Sequence, residues 1–541
     1  MFKVISVEAM RQVEAAADAA GLTYAEMMEN AGRAAAERAL RLIAGRDQPR
    51  VIALIGPGNN GGDGLVAARI IAAESGAQVD VYLLKKRPTD DPHLKAVRER
   101  GLLVADAEGD QHFRLLRGMV ASADLILDAL FGIGVRLPLQ GDAARLLQAV
   151  NQALSTLRAE RPAIITAAPA APDDIPRPAA PRVIAVDCPS GLDCDTGQFD
   201  RSALYAEETV TFIAAKPGLL TFPAAAAVGQ LVVSDIGVPA DLPELRRERV
   251  FLADAAFVRA HLPPRPPDSH KGTYGRALVV AGAPSYIGAP GLAGQAAYRA
   301  GAGWVTVCAP QSAVQALAGS LLEATWRPYE TEDQAAAALD AALAESAAVL
   351  VGPGLGQSEL ARRLLESALA GAQTPLVIDA DGLNLLAQSD QWPARLPLRT
   401  ILTPHPGEMS RLTGLSVADI QADRIALCRK YAADWKVVLV LKGAHTVIAN
   451  ADGDAAVIPF KTDALATAGT GDVLAGVLLG LLAQGSAPFM AAVAGAYLHG
   501  LSGTLAAQQI GSARAVVAGD VVRTLGPALR QVEALPAPTL A

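Results

Sequence analysis

The feature that most constrains the fold of this chain is a repeated pattern in which short apolar runs alternate with alanine-rich segments. Each run has the length of a β-strand, and each alanine-rich segment has the length of a helix. Strands that alternate with helices in this way form βαβ units around a parallel sheet. The pattern therefore predicts an α/β fold, with strands at 51–55, 79–84, 125–129, 183–187, 209–213, 231–233, 277–281, 304–308, 348–351, 376–379, 400–402 and 437–441.

Two proline-rich segments interrupt this pattern. The 541 residues are too many for one core, and prolines crowd the stretch from residue 239 to 267. Because dense proline favours extended linkers, we expect one domain at 1–240 and another at 241–541. A second stretch, 167–181, consists almost entirely of Ala, Pro and Asp. We interpret it as a surface loop, and the sequence assigns it no function.

Composition argues against several classes of protein. The formal net charge of -8 at pH 7 argues against broad nucleic-acid binding, which leaves a basic footprint. The four cysteines form no C-x-x-C pair, so we expect reduced thiols in the cytoplasm. Residues 1–20 lack the apolar centre of a secretion signal, and no purely apolar run reaches the roughly 18 residues that span a membrane. We expect a cytoplasmic homo-oligomer with small-molecule partners and no nucleic-acid or membrane partner.

The loop 56–64 is the first strong candidate site. It contains G-x-G-x-x-G after a predicted strand, and Asp80 lies in the next strand, as in dinucleotide-binding turns. Asn59, Asn60 and Asp63 add two amides and a carboxylate to this turn. Because a phosphate needs only donors, the carboxylate indicates a cation or a sugar hydroxyl. The alternative is a tight turn whose polar side chains only cap the following helix.

Further polar loops follow the later strands of this half. Ligands of open α/β sheets bind beyond the carboxyl ends of the strands, so these loops should meet. Asn60, Asp128 and Ser190 offer hard oxygen ligands that suit an alkali or alkaline-earth cation. Each is also a common turn former, and only their coincidence at successive strand ends favours a cation site. Asp187 lies at another strand end, followed along the chain by Lys216.

These motifs resemble the N-terminal domain of the NAD(P)H-hydrate epimerases, which are potassium-dependent, over about residues 1–240. The resemblance implies a Rossmann-like three-layer domain in which Asn60, Asp128 and Ser190 bind K⁺. We assign Asp187 as the acid/base group, because inverting a carbon by proton transfer requires a titratable side chain. Lys216 is a candidate electrostatic partner. The implied contacts with the hydrated nucleotide are Asn59, Asn60, Gly61, Gly62, Asp63, Gly132, Ile133, Gly134, Val135, Arg136, Leu137, Pro138 and Asp187.

The second half carries its own series of glycine-rich and polar loops. Most follow a predicted strand, so they can line one rim of a sheet. Glycine there allows close approach of a ligand, and Asp379 and His405 supply polar contacts. His405 lies between two prolines, and an ordinary loop histidine is the alternative. The loops are 270–275, 282–290, 351–356, 379–384, 403–408 and 441–446.

The turn 468–472, with sequence A-G-T-G-D, precedes the apolar run 473–482. A glycine-flanked turn at a helix start presents free backbone N–H groups at the positive end of the helix dipole, which favours an anion. Asp472 can act as a base beside that anion, although an acid at this position could also serve only as a helix cap. The turn therefore predicts chemistry on or next to a phosphate.

Together these loops resemble the ADP-dependent NAD(P)H-hydrate dehydratases, which have a ribokinase-like α/β fold, over about residues 250–535. The resemblance implies that Asp472 is the catalytic base and that Ala289, Gly354, His405 and Asp472 contact the hydrated nucleotide. It also implies that ADP is a co-substrate. Phosphate chemistry favours a Mg²⁺ with that nucleotide, although no residue of the sequence identifies its ligands. The implied ADP contacts are Lys442, Gly443, Ala444, His445, Thr446 and Gly471.

Three functions compete at this point. The first is a fused repair enzyme, in which one half epimerises the R and S hydrates of NADH and NADPH and the other dehydrates the S hydrate with ADP. The second is a small-alcohol kinase of the hydroxymethylpyrimidine or thiazole type with an N-terminal nucleotide-binding domain. The third treats the first half as an idle binding module. The intact set of Asp187, Asn60, Asp128 and Ser190 favours the first.

Overall fold

The computed structural model describes residues 2–159 and 180–536, so the predicted loop 167–181 lies almost entirely outside the described residues. The chain divides into two compact units between Glu248 and Arg249. This division lies later in the chain than the boundary that the sequence predicted at residue 240, because Leu242 and Leu245 are buried in the core of the first unit. Residues 241–248 are therefore part of the first unit rather than a linker.

The first unit is built on a seven-stranded parallel sheet. Its strands are β1 (Arg50–Ile55), β2 (Gln78–Leu83), β3 (Leu103–Asp106), β4 (Leu125–Ala129), β5 (Arg182–Val186), β6 (Glu208–Phe212) and β7 (Gln230–Ser234). The order across the sheet is β3-β2-β1-β4-β5-β6-β7. The order changes direction beside β1, so the loops after β1 and β4 open at a switch point where α/β sheets bind ligands.

Helices cover both faces of this sheet, and each face has its own apolar core. Strands buried on both faces read as continuous apolar runs, which is why the sequence pattern located them. The helices are α1 (Val7–Ala19), α2 (Tyr24–Ile43), α3 (Asn59–Glu74), α4 (Pro92–Glu99), α5 (Arg114–Ser122), α6 (Gly141–Ala159) and α7 (Pro243–Arg246).

The second unit has a larger, mixed sheet. Its strands are β8 (Val250–Leu252), β9 (Arg276–Val280), β10 (Trp304–Pro310), β11 (Thr325–Tyr329), β12 (Ala348–Val351), β13 (Leu376–Ile378), β14 (Thr400–Leu402), β15 (Val438–Leu441), β16 (Val447–Ala449) and β17 (Ala455–Val457). Their order is β8-β17-β16-β15-β14-β13-β12-β9-β10-β11. The β15–β16 and β16–β17 pairs are antiparallel, and the other pairs are parallel.

The helices of the second unit are α8 (Ala255–His261), α9 (Gly288–Arg299), α10 (Gln311–Leu317), α11 (Glu332–Leu343), α12 (Glu359–Gly371), α13 (Asp381–Leu386), α14 (Pro406–Thr413), α15 (Val417–Ala422), α16 (Arg424–Trp435), α17 (Thr470–Ala483), α18 (Pro488–Ile510) and α19 (Ala518–Glu533). Residues of α9, α17, α18 and α19 share one large core with the sheet. Among the described residues, α18 alone has the length and composition of a membrane span, but 72% of that window is buried in the fold. It is therefore a core helix.

Two candidate active sites

The loops after β1, β4 and β5 of the first unit meet around Asp128. This carboxylate is fully buried, and it accepts hydrogen bonds from Ser190 Oγ (2.6 Å) and Ser190 N (2.8 Å). Burial raises the pKa of Asp128 even though these hydrogen bonds lower it, and no basic side chain of residues 2–159 or 180–536 is among the groups that act on it. A buried carboxylate without a cationic partner fits a bound cation, which would compensate its charge.

Asn60 supplies a second indication of a ligand. It lies in the first turn of α3 with 9% of its surface exposed, and within the described part of the chain neither Oδ1 nor Nδ2 has a hydrogen-bond partner. Buried polar atoms are normally paired, so an orphaned amide indicates a missing partner. A Cβ added to Gly132 would lie 3.3 Å from Asn60, which places the two predicted loops in contact. Asn60, Asp128 and Ser190 therefore fit the predicted K⁺ site by their chemistry.

Asp187 directly follows the strand β5 and has a left-handed backbone conformation, with φ of 66°. This conformation is unfavourable for a residue other than glycine and is concentrated at functional sites. Lys216 Nζ and Thr211 Oγ1 both donate to Asp187 Oδ1, at 2.7 Å and 3.0 Å. Sequence analysis proposed Lys216 as an electrostatic partner and missed Thr211. The position of Thr211 beside Asp187 depends on the pairing of β5 with β6.

Two further carboxyl groups accompany Asp187. Burial raises the pKa of Asp63 well above its usual value, and the charges of Asp187 and Glu14 raise it further. Burial likewise raises the pKa of Glu14, and the charge of Asp187 adds to this shift. Glu14 was missed by the sequence analysis, although α1 buries Met10, Val13 and Ala17 on its apolar face. An acid next to that apolar stripe is the signal that could have identified it.

Arg87 is another residue of this site that the sequence analysis missed. Its Nη1 donates to the carbonyls of Gly56 (2.7 Å) and Gly58 (3.1 Å), and its Nε donates to Asp91 (2.7 Å). Arg87 lies after β2, and its hydrogen bonds therefore stabilise the glycine-rich loop that follows β1. The predicted contact loop Gly132–Pro138 is partly exposed, as a ligand-contacting segment requires.

Asp472 lies in the first turn of α17, after Gly469 with φ of 89° at the N-cap. The pKa of Asp472 is raised to about 7, first by burial and then by the charge of Asp379, while Lys442 lowers it. A carboxyl group that titrates near neutral pH suits a general base better than an ordinary aspartate does. The geometry therefore places a titratable carboxyl group in the predicted anion-binding turn.

Lys442 connects this turn to the neighbouring strand ends. Its Nζ lies 2.6 Å from Asp379 Oδ1 and 3.6 Å from Glu408 Oε2. Burial lowers the pKa of Lys442, but these two carboxylates outweigh burial and raise it. A Cβ added to Gly471 would lie 3.7 Å from Lys442 Nζ. A positive charge thus lies beside the N–H groups of the turn, where a phosphate would be stabilised.

The other predicted contacts fall into two groups. Ala289 and Gly354 lie together, because a Cβ added to Gly354 would be 3.0 Å from that of Ala289. The half-exposed ring of His405 caps α14, with Nδ1 accepting from Gly407 N at 3.0 Å, and burial lowers its pKa. By contrast, His445 is turned inward with its Nδ1 3.2 Å from the Ile458 carbonyl, and burial lowers its pKa to about 4.

The two units define a class of protein. One is a Rossmann-like domain with a buried acid cluster at its switch point, and the other is a ribokinase-like domain with a titratable carboxyl group in a glycine-rich turn. The model of the YjeF-related protein N-terminus matches residues 24–218, and the NAD(P)H-hydrate dehydratase model matches residues 277–525. The chain is thus a fusion of these two kinds of domain.

Comparison with curated proteins identifies the family. The bifunctional NAD(P)H-hydrate repair enzyme Nnr of Moorella thermoacetica is 38% identical, over 94% of this chain and 92% of that protein. Its counterpart from Escherichia coli K12 is 36% identical, over 94% of this chain and 90% of that protein. The chain belongs to the family of bifunctional NAD(P)H-hydrate repair enzymes, which combine isomerase and lyase activities.

Solved structures resemble the second unit. The ADP/ATP-dependent NAD(P)H-hydrate dehydratase of Bacillus subtilis, crystallised with ATP and Mg²⁺, is 35% identical with a TM-score of 0.47. The match covers 52% of this chain and 98% of that chain. The predicted fold class, the predicted family and the repair function are confirmed, and the small-alcohol kinase is the less favoured alternative.

Proposed function

We propose that the first unit interconverts the R and S hydrates of NADH and NADPH, and that the second unit dehydrates the S hydrate with ADP. The observation that carries this proposal is the placement of Asp472, with a pKa of about 7, in a glycine turn beside Lys442. A base and an anion-binding turn at one place suit chemistry that couples a phosphoryl group to a ring hydroxyl. Membership of the repair family supports the choice of substrate.

In the first unit, Asp187 acts as the acid/base group on the hydroxyl-bearing carbon of the hydrated ring. Inversion of that carbon requires its C–O bond to break and a new one to form on the opposite face. Asp187 can protonate the departing hydroxyl, which leaves as water, and then take a proton from the water that adds to the other face. The loops 59–63 and 132–138 hold the nucleotide around it. Asn60, Asp128 and Ser190 would hold K⁺, whose charge would compensate the buried Asp128 and orient oxygen atoms of the substrate.

In the second unit, Asp472 takes the proton of the ring hydroxyl as that oxygen bonds to a phosphorus of ADP and the phosphorus–oxygen bond to the leaving nucleotide breaks. Loss of this phosphate together with a ring proton restores the double bond. The N–H groups of the turn at Gly471 stabilise negative charge on the phosphoryl oxygens. Ala289, Gly354 and His405 contact the hydrate, Lys442–Thr446 contact ADP, and a Mg²⁺ would accompany the nucleotide.

The test is recovery of NADH absorbance at 340 nm. The purified chain is incubated with each hydrate epimer, ADP and K⁺, and a parallel series replaces ADP with ATP. We expect recovery from both epimers, with the R epimer dependent on K⁺. If neither epimer gave recovery with ADP or with ATP, the repair function would be excluded. Recovery from the S epimer alone would exclude only the epimerase assignment.

We also propose that the protein is a cytoplasmic homo-oligomer that needs neither nucleic acid nor membrane. The net charge of -8 supports the part of this proposal that concerns nucleic acid, and the buried α18 supports the part that concerns a membrane. Light scattering of the purified chain measures the oligomeric state, and a monomer at working concentration would contradict it.

A further inference from the structure

The two carboxylate oxygens of Asp187 have different surroundings. Oδ1 accepts hydrogen bonds from Thr211 Oγ1 (3.0 Å) and Lys216 Nζ (2.7 Å). No described residue donates a hydrogen bond to Oδ2. A Cβ added to Gly132 would lie 3.1 Å from Oδ2. The second oxygen therefore faces the loop that contacts the substrate, while the first is fixed within the protein.

Lys216 is itself fixed. Only 1% of this residue is exposed, and its Nζ donates to Asp187 Oδ1, to Thr211 Oγ1 (2.6 Å) and to the Phe212 carbonyl (3.3 Å). An ammonium group has three protons, so every donor is used. Thr211 closes the ring, because its hydroxyl accepts from Lys216 and donates to Asp187. A lysine in this position cannot swing toward a substrate to transfer a proton.

We propose that Lys216 and Thr211 are positioning residues that fix Oδ1 of Asp187, so that Oδ2 is the oxygen that exchanges protons with the substrate. The inference rests on the proposed epimerase function. An aspartate side chain rotates over a broad χ2 range when nothing fixes it. Bonding one oxygen twice removes this freedom before the substrate arrives, and a misplaced acid/base group loses much of its effect.

The experiment compares three threonine variants in the full chain. Thr211→Val removes the hydroxyl at nearly constant volume, and Thr211→Ser keeps it. Thr209→Val is the matched control, because Thr209 is equally buried on the same strand but donates to the Val228 carbonyl (2.7 Å) instead. The rate of interconversion of the hydrate epimers is measured with K⁺ and without ADP, together with the melting temperature of each variant.

We expect Thr211→Val to lower kcat of epimerisation about tenfold or more with KM within about twofold, because positioning acts on the transition state more than on binding. Thr211→Ser should keep most of the activity, and Thr209→Val should stay within about twofold of the wild type. Equal rates for Thr211→Val and Thr209→Val would overturn the inference. Loss of activity in a folded Thr211→Ser would also overturn it, since the hydroxyl is retained.

A Lys216→Met variant tests the second positioning residue. It should lower kcat by about a hundredfold or more where the variant folds, because it removes both the bond to Oδ1 and the partner of Thr211. A folded Lys216→Met with wild-type kcat would contradict the proposal. Failure of the proposed function can be distinguished from failure of this inference. A wild-type chain that cannot epimerise the hydrates contradicts the proposed function. An active wild type, together with an inactive Asp187→Asn and an unaffected Thr211→Val, contradicts only this inference.

Discussion

At the scale of single residues, burial sets the chemistry of both sites. Asp472, Asp63 and Asp128 all have pKa values raised first by burial. Removing a carboxylate from water destabilises its charged form, so each site holds acids that bind protons more tightly than exposed acids do. The same burial makes such groups respond strongly to any nearby charge, such as Lys442 beside Asp472.

The pH dependence of the dehydratase should report Asp472. A base must be ionised to accept a proton, so the rate should fall below a pH near 7, about tenfold per pH unit. Lys442 lowers the pKa of Asp472, so Lys442→Met should move this limb to higher pH. The measurement is kcat against pH on the S hydrate. Lys430→Met, which removes an exposed lysine of the same unit, is the control and should leave the limb in place.

Gly132 should tolerate no side chain. A Cβ there would lie 3.1 Å from Asp187 Oδ2 and 3.3 Å from Asn60, so both groups would have to shift by a few tenths of an ångström. Gly132→Ala should lower kcat/KM of epimerisation by about tenfold or more, because small misplacements of catalytic groups are costly. Gly118→Ala in α5 is the control, because this glycine is not in the candidate site and its Cβ would meet nothing within 4 Å. Equal effects of the two changes would contradict the expectation.

At the scale of elements, close packing against α9 fixes the position of α17 and of the glycine-rich turn at its N-terminus. Gly476 and Gly480 lie on the contact face, where added Cβ atoms would lie 2.3 Å from the Ala293 carbonyl oxygen and 2.5 Å from the Ala297 carbonyl oxygen. The strongly apolar α17 is buried on nearly all sides. Its glycines therefore serve close helix packing rather than flexibility.

Gly476→Ala should destabilise the second unit. The backbone of Ala293 cannot move away as a flexible side chain could, so overpacking should cost about 1–3 kcal/mol of unfolding free energy. Calorimetry and the half-life of dehydratase activity on heating measure this change. Gly519→Ala in α19, whose Cβ would contact only the end of Arg523 at 3.5 Å, is the control and should be neutral or slightly stabilising. A melting temperature unchanged by Gly476→Ala would contradict the packing argument.

At the scale of the whole molecule, one chain carries an epimerase domain and a dehydratase domain of one repair family. The two activities act in series on a mixture of hydrates, because the dehydratase accepts only one epimer in the proposed scheme. The two carboxylates that we propose as catalytic, Asp187 and Asp472, belong to different units. Removing one of them should therefore affect only one of the two reactions.

A mixture of both hydrates with ADP and K⁺ should separate the two roles. With Asp187→Ala, recovery at 340 nm should proceed quickly to the amount of S hydrate present and then slow to the spontaneous rate of epimerisation. With Asp472→Ala, absorbance should not recover, while chromatography should still show interconversion of the epimers. Complete recovery by Asp187→Ala at the wild-type rate, or any rapid recovery by Asp472→Ala, would show that the assignment is wrong.

Much of the fold could be predicted because parallel strands are buried on both faces. Each predicted strand is present within about two residues of its expected bounds. The strands that sequence analysis missed include the sheet-edge strands β3 and β11, the short antiparallel pair β16 and β17, and β8. Edge strands are partly exposed and include polar residues, so they lack the continuous apolar pattern that marks central strands.

The site was predictable to the extent that its residues lie in glycine-rich loops directly after strands. The sequence by itself determined the class of fold through its local pattern and the family through the resemblance of its motifs, and it nominated Asp187 and Asp472 as candidate carboxylates. Only the tertiary structure decided that Glu14, Thr211 and Arg87 belong to the first site. These residues come from a distant helix and from neighbouring strands, and burial and contact depend on how the elements pack, which no local pattern encodes.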